Sequence, residues 1–214
     1  AEVLGVDIAA NLVAAGRQRA KEQGLDNLRF QEGDASDLAG LEDSSFDLVV
    51  SIFGAMFAPR PFDVAKQMVR VTRPGGRIVM GNWIPGDPTL VAQILRISGA
   101  YSPPPPEGFV SPMTWGVEAN VVERFGSAGI PPEQISCVRD SYRFTSPDPP
   151  AALADRFLGF YGPTMNALEA AGRDGRADAL RQELVALFEG QNAGPGKDTT
   201  AIPATFLRVT VTVN

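Results

Sequence analysis

VLGVD, LRFQEGDA, FDLVVSIF and RIVMGNW recur along the first 83 residues, and that recurrence constrains the fold more than any other feature. Each run is short and rich in β-branched or apolar residues, which reads as a strand. Between the first two lies AANLVAAGRQRAKEQG. Leu12, Val13 and Ala20 give it a loose helical stripe, and Gly24 is placed to stop it. Before the fourth lies APRPFDVAKQMVRVTRPGG. Here Pro61 suits a first helical turn, Val64, Met68 and Val71 share a stripe, and Pro74-Gly75-Gly76 ends the element. FDLVVSIF is apolar enough to predict a strand buried on both faces. Strand–helix–strand alternation with connections of this length predicts an α/β fold, a mostly parallel open sheet with helices on both faces.

After Trp83 the rhythm changes. DPTLVAQILRISGAY predicts a helix, and YSPPPPEGFVSPMTWG follows, whose four consecutive prolines forbid helix and central strand alike. That stretch reads either as a stiff connector packed over the domain or as a polyproline ligand for another protein. VEANVVERFGSAGI predicts a helix with a glycine stop and QISCVRDSYRF a strand. Residues 149–192 are mostly helical, with breaks at Gly162-Pro163 and around Gly172 to Gly175. ATFLRVTVTVN alternates cleanly and predicts a last strand, antiparallel to its neighbour and at or near a sheet edge.

Composition narrows the chemistry. The 214 residues contain no histidine, so Ser-His-Asp and Cys-His catalysis are both impossible within the chain. A zinc site would need carboxylates and one cysteine, and no metal is expected. The single cysteine, Cys137, excludes an internal disulfide framework and suits a reducing, cytoplasmic setting; its place in a predicted strand reads as a small buried hydrophobe. A net charge of −6 disfavours a phosphate-backbone partner, so no nucleic acid is expected. No run approaches the roughly 20 apolar residues of a membrane span, and no charged-then-apolar leader is present, so no membrane partner is expected either. Arg17, Arg19 and Lys21 read as a solvated helix face.

In open parallel sheets, ligands bind beyond the carboxyl ends of the strands. The predicted strand ends are Asp7-Ile8, Gly33-Asp34-Ala35, Ser51-Ile52-Phe53 and Asn82-Trp83. Two of them carry aspartates that successive parallel strands would deliver to one crevice. A carboxylate accepts two hydrogen bonds at once and suits a vicinal ribose diol; a second beside a small residue suits an adenine amine. Aspartates at strand ends also cap helices and make turns, so each has an ordinary structural reading as well.

VLGVDIAANLVAAGRQRA, FQEGDASDL, FDLVVSIFGAMFAP and VTRPGGRIVMGNW resemble successive motifs of the class I S-adenosylmethionine-dependent methyltransferases. The likeness is nearest to the small-molecule group that includes the quinone-biosynthesis enzymes. It covers about the first 85 residues and implies a Rossmann-like fold with S-adenosylmethionine as cofactor. By position, Asp7 would hold the ribose hydroxyls and Ile8 would pack on adenine. Asp34, preceded by Gly33, would accept from the adenine amine, with the Ala35 backbone donating to a ring nitrogen. Ser51, Ile52 and Phe53 would line the cofactor wall beneath the methyl group. The resemblance divides the chain into a cofactor-binding core (1–84), a Pro-rich lid insertion (85–116), a core helix and strand (117–148), a helical insertion (149–192) and the final core strand (193–214). Trp83, Tyr101, Trp115 and Tyr161 enrich the lid in aromatics. They read as satellite packing or as the walls of an apolar pocket for a small methyl acceptor. No catalytic residue stands out; Tyr101, Tyr161 and Asp87 are the lid groups available as a base.

One departure matters. In this family a strand and a glycine-rich loop stand before the strand ending at Asp7, and that strand lies between those ending at Asp7 and at Phe53. None precedes Glu2. Three readings follow: the chain is part of a longer protein, another subunit supplies the strand, or the two neighbouring strands close on each other. Two functions stay open accordingly. One is an active small-molecule methyltransferase; the other is a methyltransferase-like binding or homo-oligomerising protein that does not bind the cofactor.

Overall fold

The computed structural model describes the whole chain, Ala1–Asn214. Its first unit is β1 (Val3–Asp7), α1 (Ala10–Glu22) and β2 (Leu28–Glu32), with the strands parallel and in register from Val3–Leu28 to Asp7–Glu32. Phe30 organises this unit. A Cβ at Gly5 would lie 2.6 Å from its ring, and one at Gly16 2.7 Å, so a glycine on the strand and another on the helix admit the ring between them. The Arg17 guanidinium then donates from Nε and Nη2 to the Phe30 carbonyl, at 3.0 and 2.8 Å. Arg17 is thus exposed, as expected of a solvated face, and also ties α1 to β2. Gly24, at φ 64°, ends the helix in the left-handed region.

The second unit is a four-stranded sheet of β3 (Phe46–Ile52), β4 (Thr72–Trp83), β5 (Ile135–Ser146) and β6 (Thr200–Thr212), in the order β3-β4-β6-β5. α2 (Pro61–Val71) makes the crossover between the parallel pair β3 and β4. The expected stop at Pro74-Gly75-Gly76 comes three residues late: α2 ends at Val71, and these residues already belong to the start of β4. β6 runs antiparallel to both β4 and β5. The last strand is therefore antiparallel as expected, but it is interior and the edge belongs to β5. The cause is a long β5–β6 ladder running from Ile135–Val211 to Ser146–Thr200, six residues of β6 beyond the last β4–β6 pair.

Ile78 and Met80 of β4 and Val209 and Val211 of β6 are fully buried on one face of this sheet. α2 packs on β4 and on α4 (Glu118–Ser127). α3 (Leu90–Tyr101) and α7 (Ala177–Gln191) pack on β6, and with α5 (Pro150–Phe160) and α6 (Gly162–Arg173) they form one helical body. The breaks between α5, α6 and α7 fall where Gly162-Pro163 and Gly172 to Gly175 predict them. Pro103–Pro106 lies between α3 and a 3₁₀ turn at Pro112–Gly116, exposed and outside any regular element.

β1 and β3 do not pair, so the parallel strands fall into two sheets. The reading in which these neighbours close on each other is thereby corrected. So is the expectation that β3 is buried on both faces: Leu48, Val50 and Ile52 are each about half exposed, at 50%, 55% and 51%. The apolar run was read correctly as a strand, but one of its edges and one of its faces have no partner.

Candidate functional site

The carboxyl ends of β1, β2 and β3 open on a cavity of about 570 Å³ between the two sheets. Leu4 and Val6 form one wall and Phe46, Leu48 and Val50 the other, so the cavity occupies the gap that β1 and β3 leave. Seven of the eight residues expected at the cofactor line it: Asp7, Ile8, Gly33, Asp34, Ala35, Ser51 and Ile52.

Asp7 ends β1 and turns the chain into α1. Its Oδ1 accepts the Ala9 backbone N–H at 2.8 Å, while Oδ2 has no protein partner. Ile8, 75% exposed, stands beside it at the rim. Gly33 donates its N–H to the Asp7 carbonyl at 3.0 Å, and a Cβ there would lie 2.7 Å from Val6 Cγ1. Glycine at this point lets the end of β2 close on β1 and carries Asp34 to the cavity. Asp34 Oδ1 accepts from the backbone N–H and the hydroxyl of Ser36, both at 2.8 Å. Those bonds hold its carboxyl below the usual range; partial burial opposes them and the Arg60 guanidinium, 3.8 Å from Oδ2, reinforces them. Both aspartates thus fill the ordinary turn-making role with one oxygen; the other is without a protein partner in Asp7 and lies beside Arg60 in Asp34. Ser51 has a structural duty too, its Oγ accepting the Ala55 N–H at 2.9 Å to hold the turn after β3.

Phe53 is placed differently from its neighbours. It has φ 59°, in the left-handed region that a bulky residue rarely occupies. Its ring leaves the cavity and stacks on Trp83 at 3.7 Å, with 5° between the planes. Trp83 also meets Phe206, and through Phe144 its aromatic contacts continue to Phe157, which meets both Tyr161 and Phe188. Sequence reasoning missed Phe206 and Phe144 because they sit on the antiparallel strands, far from the motifs.

The four aromatics expected in the lid do not share one site. Trp83 lies beneath Phe53. Tyr101 is buried between α3 and α7, where its hydroxyl donates to Glu183 at 2.5 Å and Arg176 covers its ring at 4.8 Å. Trp115, 1% exposed, packs against Phe125 with Arg124 4.5 Å over its ring. Tyr161 keeps a fully buried hydroxyl without a hydrogen-bond partner, and burial pushes its pKa up to about 12. Asp87 accepts from Thr89 and pairs with Arg139, holding the start of α3. Tyr101 and Asp87 are therefore occupied structurally.

The residues present fit the adenosine portion of S-adenosylmethionine: two aspartates line the cavity, Asp7 with an oxygen free of protein partners, an apolar Ile8 flanks it, and Gly33 gives close backbone approach. Residues 1–80 match the family model described as a methyltransferase domain. An uncharacterized protein of Mycobacterium tuberculosis is 32% identical over 188 residues, which are 87% of this chain and 66% of the relative, so the chain spans about two thirds of its length. The demethylmenaquinone methyltransferase of Geobacillus kaustophilus is 41% identical over 78 residues, 36% of this chain and 33% of that one. In fold, the chain resembles a phosphoethanolamine N-methyltransferase of Haemonchus contortus, solved with S-adenosylhomocysteine. The TM-score is 0.55 at 15% identity, with 100% of this chain and 44% of that chain covered. Residues 1–80 thus match the methyltransferase-domain family, and the α/β architecture built on them resembles that of solved methyltransferases in fold.

Proposed function

We propose that the chain binds S-adenosylmethionine at the carboxyl ends of β1, β2 and β3 and transfers its methyl group to a small apolar or aromatic acceptor. The observation that carries this reading is the pair Asp7 and Asp34, each with one oxygen fixed by a local turn and both lining one shared cavity. Bound there, the cofactor would supply an already activated methyl group. The chain's own work is then to orient and to exclude water, which a histidine-free protein can do. Asp7 Oδ2 would accept from the ribose hydroxyls, Ile8 would cover the base, and Asp34 would accept from the adenine amine, with Arg60 giving up its place beside Oδ2. The names of the Geobacillus and Haemonchus relatives support a small-molecule acceptor, and the −6 charge supports one other than nucleic acid. Cys137 as sole cysteine supports a reducing, cytoplasmic setting.

Calorimetric titration with S-adenosylhomocysteine tests the reading. Binding by the full-length polypeptide, weakened tenfold or more by Asp7→Ala, is the expected result; no binding sinks it.

A second reading rests on a separate observation. The free edges of β1 and β3 and the exposed Leu48, Val50 and Ile52 form an apolar surface suited to a further strand or a second copy. A binding or homo-oligomerising protein that does not take the cofactor would use that surface. Sedimentation of the full-length polypeptide with and without S-adenosylhomocysteine separates the two, since only this second reading requires self-association in the absence of cofactor binding.

A further inference from the structure

Arg60 stands at the rim of the cavity, directly after Ala58 and Pro59, which line it. Prolines on both sides, Pro59 and Pro61, stiffen its backbone, which lies at φ −116° and ψ 76° just before α2. What can move is the side chain, which is 57% exposed.

The Arg60 guanidinium is shared between two carboxylates. Nη2 lies 3.8 Å from Asp34 Oδ2, and Nε lies 3.4 Å from Oδ2 of Asp63, in the first turn of α2. Both distances exceed the about 2.7–2.9 Å of a charge-assisted hydrogen bond, so these are loose ion pairs. Asp34 is held firmly on its other oxygen, where Ser36 donates twice to Oδ1. Only Oδ2 is open to exchange, and Arg60 sits beside it. The pair also crosses the fold, since Asp34 follows β2 while Arg60 leads into α2. No other ion pair does so: Glu2–Arg29 lies within the first unit, and the rest join residues beyond Asp34 to one another.

We propose that Arg60 is an intramolecular competitor for the site: it holds Asp34 Oδ2 until an adenosine-bearing ligand takes that oxygen and the guanidinium passes to Asp63. This rests on the cofactor reading, because Asp34 is contested only if adenine binds there. An ion pair between exposed side chains is weak and is screened by salt, which makes the exchange easy and gives it a signature. Salt weakens the contact that the ligand must break. A ligand without net charge therefore binds more tightly as ionic strength rises, and the gain disappears when Arg60 loses its charge.

The test titrates methylthioadenosine, an uncharged thioether with the same adenosine portion, into the full-length polypeptide by calorimetry. Sodium chloride is set at about 0.02 M and then at about 0.5 M, where the Debye length falls to a few ångströms. The wild-type protein is expected to bind about two- to fivefold more tightly at the higher salt. Arg60→Gln should bind at low salt about as tightly as wild type does at high salt, and should lose most of the salt response. Asp63→Asn should weaken binding at low salt, because the displaced guanidinium then has no carboxylate to receive it. Wild-type affinity that falls or stays level with salt, a salt response unchanged in Arg60→Gln, or tighter binding by Asp63→Asn would overturn the inference. The wild-type salt comparison stands by itself if a variant fails to fold. Methylthioadenosine binding without a salt response fails this inference alone; no binding by wild type or Arg60→Gln at either salt fails the cofactor reading, and the inference with it.

Discussion

A single oxygen of Asp34 accepts two hydrogen bonds from Ser36, one from the backbone N–H and one from the hydroxyl, each 2.8 Å long. The ionised carboxylate accepts these bonds more strongly than the acid does, so folding lowers the group's pKa beneath its ordinary 3.8. A group whose folded pKa is depressed adds stability above its unfolded value and loses that addition as pH falls through the folded one. Ser36→Ala should therefore lower the melting temperature at neutral pH, and the gap to wild type should close as pH drops below about 3.8. Thermal melts across that range check it; a gap that does not change with pH would count against the assignment.

Gly16 gives a prediction in which two effects oppose each other. Alanine inside a helix is ordinarily better than glycine by about 1 kcal/mol. Here its Cβ would sit 2.7 Å from the Phe30 ring, closer than real contacts allow. Overpacking of this kind costs about 1–3 kcal/mol, so Gly16→Ala should destabilise on balance. Phe30→Leu should reverse much of that loss, giving a double mutant less destabilised than the sum of the singles. Denaturant unfolding of the four proteins measures the coupling.

Tyr161 offers the opposite sign. Its hydroxyl is buried without a partner, and removing such a group takes away a desolvation cost while leaving the ring in place. Tyr161→Phe should be neutral or stabilising by about 1 kcal/mol, seen as a raised melting temperature. A clear loss of stability would mean that the hydroxyl has a bonded water or ligand in solution.

Cys137 should be chemically quiet despite being the only thiol. Burial, with a smaller contribution from Glu118, pushes its pKa to about 11. Alkylation by iodoacetamide should be slow at neutral pH and rise steadily as the solution approaches pH 11, because only the thiolate reacts. Fast labelling at neutral pH in the folded protein would contradict this environment.

The parts of the fold that local pattern dictates were legible. β-Branched runs became strands, Pro61 opened α2, Gly24 closed α1, and Gly162-Pro163 separated α5 from α6. Strand partnership was less legible, because it depends on long-range register. ATFLRVTVTVN announces a strand, yet nothing within it says that β5 will lie outside it. The aspartates at the strand ends could be found by position alone, since parallel strands deliver their ends to one side. Phe53 could not: its location in the motif predicts a cavity wall, while its actual direction follows from a left-handed backbone and from the Trp83 ring that receives it. Tyr101 and Trp115 show the same limit. Aromatic enrichment pointed to a pocket, but Glu183, far along the chain from Tyr101, and Arg124, on the helix after Trp115, draw each into separate packing.

The two walls of the cavity belong to different sheets. Asp7 and Asp34 travel with β1 and β2, and Ser51 to Gly54 travel with β3. A molecule held by both sets acts as a strut between two bodies that share no strand pairing. Its affinity and the rigidity of the protein are then one equilibrium observed from two ends. Whatever loosens the first sheet from the second weakens ligand capture in the same proportion, and a tightly held ligand should steady β1 and β2 against heat more than it steadies any strand of the larger sheet.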